Sequence, residues 1–130
     1  MTLLHHHFES TDWIDELARA KVDREVALAA MAAGARRKML AEGETGLFVQ
    51  YSDLPADYRI EPHTHSHGEV IVVLGGSCTV DGAEGAAPTE MGPRDSVSIS
   101  ADTRYGITCG PEGLTMLTIR AGEAVVTFAE

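Results

Sequence analysis

The pattern of apolar and polar positions changes character once along the chain. Up to Gly34 apolar residues recur at helical spacing; from Gly46 onward the texture is one of short strands and turns broken by Gly and Pro. Trp13, Leu17 and Ala20 lie three and four apart, which places them on one helix face. Ser10 or Thr11 offers an N-cap, and Asp12, Asp15 and Glu16 suit the positive end of a helix dipole. The pattern predicts a short amphipathic helix to about Lys21. Asp23 to Ala33 is alanine-rich and predicts a second helix ended by Gly34, although Val26, Leu28 and Ala30 would also alternate in a strand.

Beyond Gly34 the runs predict strands at Leu47–Tyr51, Tyr58–Ile60 leading into Pro62, Val70–Leu74, Cys78–Val80 and Ser96–Ser100. Three more follow at Tyr105–Cys109, Leu114–Arg120 and Ala124–Phe128. Turn residues separate them at Gly43–Gly46, Leu54–Asp57, Gly75-Gly76, Asp81-Gly82 and Gly92–Asp95. Short strands about ten residues apart indicate an all-β antiparallel sandwich or barrel. The expected organisation is a helical segment, 1–34, packing on the barrel or a partner subunit, followed by a barrel, 35–130.

Composition narrows the partners. Ten basic against twenty acidic residues give a formal charge of −10, which would repel a phosphate backbone, so no nucleic-acid partner is expected. No apolar run is long enough for a membrane span, and residues 1–8 lack the basic start and apolar core of a secretory signal. Cys78 and Cys109 are too few for a disulfide framework and read as buried thiols, giving a cytoplasmic expectation. Arg36, Arg37 and Lys38 form the one basic cluster and read as a solvated element edge, with an anion or partner contact as the alternative. His5, His6 and His7 read as a terminal run without a metal role.

The candidate chemistry lies in Pro62–Gly76, P-H-T-H-S-H-G-E-V-I-V-V-L-G-G. Strand residues two or four apart share a face, so His63, His65 and Glu69 project together, and His67 joins them if no bulge intervenes. Two imidazoles and a carboxylate suit a divalent first-row metal and leave positions open for substrate. The competing reading is a wet pocket with these groups hydrogen-bonded through water. Val70, Val72 and Leu74 lie on the opposite face and need cover from the N-terminal helices or a second subunit.

H-T-H-S-H-G-E-V-I-V-V-L-G-G resembles the first signature of the cupin superfamily, with His63, His65, Glu69 and Gly76 at matching spacings and Asp57 replacing a leading glycine. In the region of the second signature, Arg94–Cys109, the hydrophobic rhythm agrees while the marker residues depart. Tyr105 stands where the family usually has a third metal-binding histidine. The resemblance implies a small RmlC-like jelly-roll barrel, usually a homodimer, holding a metal on His63, His65 and Glu69. Tyr105 then acts as catalytic acid or hydrogen-bond donor, as a phenolate ligand, or as a plain lining aromatic; the first role is preferred. Arg104 reads as a turn residue or a carboxylate anchor. The expected activity is that of an Fe(II) dioxygenase-like enzyme acting on a small dicarbonyl or hydroxyketone. The alternatives are a Zn, Ni or Mn isomerase, cyclase or lyase, and a non-enzymatic metal or ligand sensor.

Overall fold

A computed structural model describes residues 2–19, 23–82, 85–123 and 125–128. Eight strands follow two short helices: α1 (Glu16–Arg19) and α2 (Arg24–Ala33), then β1 (Arg36–Glu42), β2 (Phe48–Leu54), β3 (Arg59–His65), β4 (Glu69–Asp81), β5 (Thr89–Met91), β6 (Ser96–Ile99), β7 (Tyr105–Arg120) and β8 (Val126–Thr127). The strands pair antiparallel in the order β1-β2-β7-β3-β8, with β4 joined to β5, β6 and β7. This curled sheet is a jelly-roll barrel.

β7 organises it. One half of β7 pairs with β2 and the other with β3, while β4 lies along almost its whole length. Sequence alternation predicts two strands here, 105–109 and 114–120; the structure has one, bent rather than broken. β4 likewise continues through Gly75 and Gly76, where an end was expected, by shifting register at each side. The physical reason is a close approach: Gly76 has φ +73°, and a Cβ there would lie 2.1 Å from the Gly113 carbonyl oxygen. The two glycines let the bent strands touch.

The interior holds Ile71, Val73, Ile107, Leu114 and Met116, all 5 % exposed or less. Each such side chain contributes about 1.5–3 kcal/mol by leaving water. Cys78 and Cys109 are ladder partners, buried and unbridged. Burial pushes the Cys109 thiol up to about 12.

At the N-terminus helix gives way to an extended strap. Of the helix expected to Lys21, residues 11–15 are not helical and Glu16–Arg19 is, with Asp15 Oδ1 accepting from the Leu17 and Ala18 amides at 3.1 and 3.2 Å; Ala20 and Lys21 lie outside the described residues. Phe8 and Trp13 instead pack near Tyr51 on the outer face of β2. They also hold the Lys38 ammonium, which lies 3.9 Å from the Phe8 ring and donates to the Phe8 carbonyl at 2.7 Å. Arg36–Lys38 opens β1 at the edge of the sheet, where Arg36 is exposed as expected, whereas Lys38 is only 3 % exposed. A cation between aromatic faces gains a favourable electrostatic contact while its stem stays dry. Among the described residues no helix is long and apolar enough to cross a membrane.

Candidate active site

Three strands bring the predicted residues to one end of the barrel. β3 carries His63 and His65, with ring centroids 4.7 Å apart. Tyr105, the first residue of β7, is the ladder partner of His63, and their rings are 4.6 Å apart. Glu69 opens β4 opposite Arg120, the last residue of β7. Barrel closure thus sets the two ends of β7 around one cluster. His67 does not join it: β3 ends at His65, and the turn that follows leaves His67 exposed beside Gly122. Arg104 is exposed at the turn before β7.

Arg120 is the residue that sequence reasoning did not single out. Its signal was parity: Leu114, Met116, Thr118 and Arg120 alternate onto one face, so an arginine pointing inward could have been read from β7. Its Nε donates to Glu69 Oε2 at 2.6 Å and its Nη2 to His65 Nε2 at 3.2 Å. The Tyr105 hydroxyl donates to Glu69 Oε1 and lies 3.4 Å from His65 Nδ1. Both carboxylate oxygens therefore accept hydrogen bonds in a site where Glu69 is 5 % exposed. A buried charge needs such pairing.

The hydrogen bonds fix both histidine tautomers. A guanidinium only donates, so His65 accepts at Nε2 and carries its proton on Nδ1, directed at Glu69 Oε1 3.4 Å away. A carbonyl only accepts, so His63 donates from Nδ1 to the Glu61 carbonyl at 2.8 Å. That leaves the His63 Nε2 lone pair with no partner among the described residues. Burial lowers the His63 pKa, and burial lowers that of His65 to about 4, against the pull of Glu69. Burial, reinforced by Glu69, raises the Tyr105 pKa well above the usual phenol range. At neutral pH the cluster holds two neutral imidazoles, a neutral phenol and one ion pair.

His63, His65, Tyr105 and Arg120 form one polar end of a cavity of about 230 Å³ whose walls include Ile71, Ile107 and Met116. That volume equals the share of roughly eight waters at about 30 Å³ each, enough for a small organic molecule. Val26, Ala27 and Ala30 of α2 line its other side, and Phe128 lies 5.2 Å from His63.

A divalent ion on His63, His65 and Glu69 would need a lone pair from each. Both Glu69 oxygens already accept from Arg120 and Tyr105, and His65 Nε2 accepts from Arg120. Of the three, His65 has its one acceptor lone pair taken by Arg120, His63 presents an unengaged one, and Glu69 keeps acceptor capacity only beside the Arg120 and Tyr105 donors. No group of three His, Cys, Asp or Glu side chains able to hold an ion occurs among the described residues. As arranged, the donor set does not fit a metal, because a guanidinium already supplies its positive partner.

No protein-family model matches the chain, and no curated protein matches it. Solved structures do. KdgF from Halomonas sp. is 20 % identical with a TM-score of 0.69, covering 94 % of this chain and 96 % of that one. The polyketide cyclase RemF from Streptomyces resistomycificus is 19 % identical with a TM-score of 0.68, covering 98 % and 84 %. An RmlC-like cupin from Shewanella frigidimarina NCIMB 400 is 20 % identical with a TM-score of 0.65, covering 86 % and 84 %. The chain has the cupin fold, an RmlC-like jelly roll, as the His63–Gly76 signature implied.

Proposed function

We propose that this protein is a cupin enzyme that moves protons on a small carbonyl compound, in the isomerase, cyclase or lyase class rather than the dioxygenase class. One observation carries the reading: the unengaged Nε2 of a neutral His63 belongs to the same cavity wall as Arg120, whose Nη1 makes no hydrogen bond among the described residues. One group can accept a proton and the other can donate to an oxyanion.

In the proposed step His63 Nε2 takes a proton from the carbon next to the substrate carbonyl. The C–H electron pair becomes a C=C bond, the carbonyl π pair moves to oxygen, and Arg120 Nη1 holds the resulting enolate. His63, now an imidazolium, returns the proton to another atom, or the enolate expels a group from the β carbon. Glu69, His65 and Tyr105 keep the guanidinium in place, and Tyr105 is the second proton donor beside the cavity. One fold neighbour carries the name of a polyketide cyclase.

The test is exchange of α-protons for deuterium in a panel of ketones and β-dicarbonyls, followed by NMR. His63→Gln should slow exchange by about 10²–10⁴-fold, and Arg120→Met by about 10²–10³-fold. Native protein that carries one metal ion per chain, with oxygen uptake in its Fe(II) form and no exchange, would return the assignment to a metal-dependent oxygenase.

A further inference from the structure

We infer that Arg37, with Gln50 and Ser52, forms a second, anion-binding subsite of the same cavity, which takes a substrate carboxylate in place of the Glu16 carboxylate. Arg37 points into the barrel from β1, where its ladder partner is Ser52. Its Nη1 donates to Gln50 Oε1 at 2.8 Å, and Gln50 Nε2 donates to Ser52 Oγ at 3.1 Å. Gln50 and Ser52 are 8 % and 1 % exposed, and they occupy interior positions between Phe48 and Leu54 that a barrel closed for stability alone would fill with apolar side chains. Buried polar groups of this kind stand only when paired. Here the pairing runs to a guanidinium on the cavity wall.

The molecule itself displays the chemistry this guanidinium selects. Glu16 lies across it with Oε1 2.6 Å from Nη2 and Oε2 2.9 Å from Nε, the two-point fork an arginine offers to a carboxylate. Glu16 belongs to no strand. It sits on α1, a single turn at the cavity mouth tied to β1 by the Ile14 amide and the Arg37 carbonyl, 2.7 Å apart. A carboxylate arriving within a ligand can satisfy the same fork while Glu16 turns to water, so the exchange leaves no buried charge unpaired.

The register sets the span. Arg37 reaches along β2 to the Gln50 side chain, and Gln50 is the ladder partner of Thr118, two residues before Arg120 on the same face of β7, so the offset is about 7 Å along the strands and about 4.8 Å across them. A keto acid with several bonds between its carbonyl and its carboxylate would reach Arg120 with one end and Arg37 with the other. This inference rests on the reading that Arg120 holds a substrate carbonyl, and it adds the class of the far end.

The experiment compares δ-acetylvalerate, a methyl keto acid, with its uncharged methyl ester by calorimetric titration, so that no turnover is needed. Glu16→Gln removes the internal competitor and should tighten the acid about tenfold while leaving the ester unchanged. Arg37→Met should reduce the acid to the affinity of the ester. Thermal melts establish which variants fold; if Arg37→Met does not, the Glu16→Gln comparison decides alone. Equal tightening of acid and ester in Glu16→Gln would show that the mouth had merely opened, and would overturn the subsite. So would an acid preference that survives Arg37→Met, or a Glu16→Gln protein that binds neither probe. If the subsite fails while His63-dependent exchange persists, the proposed function stands; if exchange fails while the acid preference follows Arg37, the subsite stands.

Discussion

Arg120 determines how the cluster behaves. Arg120→Met leaves Glu69 buried with the Tyr105 hydroxyl as its main partner, and removing one member of a buried ion pair costs about 3–5 kcal/mol. Urea unfolding at neutral pH should show that loss. Arg120→Ala should also free the lone pairs of Glu69 and His65, so the variant is expected to bind Zn(II) in equilibrium dialysis where the native chain does not. Equal zinc binding by both would mean that the guanidinium does not guard the site. His65 adds a pH dependence. Its folded pKa of about 4 lies below the unfolded value near 6.5, so the unfolded chain binds the proton first. The stability this represents is present above about pH 6.5 and is lost as pH falls toward 4, by roughly 3 kcal/mol at most. His63 shifts in the same direction. Unfolding free energy measured between pH 7 and 4.5 should fall, and His65→Gln should flatten the slope.

Among the elements, β4 and β7 carry both the fold and the site, since Glu69, Tyr105 and Arg120 all sit at their ends. Their crossing at Gly76 and Gly113 is a point of little tolerance. Gly76→Ala puts a side chain at positive φ and drives it into the Gly113 carbonyl, so the variant is expected to fold poorly, with a melting temperature lowered by ten degrees or more for a loss of about 2–3 kcal/mol. A melt within a few degrees of native would show that the strands can part there. Val70, Val72 and Leu74 were correctly placed opposite Glu69, but the N-terminal strap covers Tyr51 and Lys38 on β2 and β1 instead. Helix periodicity over 11–15 gives way to this packing, in which Phe8 and Trp13 meet Tyr51 and Lys38, because a short helix is marginal without tertiary contacts of its own.

For the whole molecule, that uncovered strip suggests how copies would meet. Val70 and Leu74 are 36 % and 47 % exposed, and Val70 stands beside Ile119 and Val72 beside Leu117 across the ladder. A second copy of this chain is the proposed cover for an apolar strip of this kind. Sedimentation should give a dimer at micromolar concentration, and Leu74→Asp should shift it toward monomer without lowering the melting temperature of the subunit. A native monomer across the concentration range would leave the strip without that role.

The barrel was legible in the sequence because strand alternation and turn residues are local properties. Period-two runs between glycines and prolines need no tertiary information, and the spacing of His63, His65 and Glu69 follows from the same parity. What parity does not contain is the partner across the barrel. That Arg120 reaches both Glu69 and His65, that Tyr105 donates to the same carboxylate, and that Arg37 turns inward to Gln50 depend on which strand ends meet after closure. Those contacts link residues 13 to 55 positions apart, and they set a hydrogen-bonded ion pair where an open cup was expected. The sequence by itself determined the strand alternation that sets His63, His65 and Glu69 on one face; only the tertiary structure decided that His67 leaves it, that Arg37 and Arg120 join the interior, and which of these side chains hold each other.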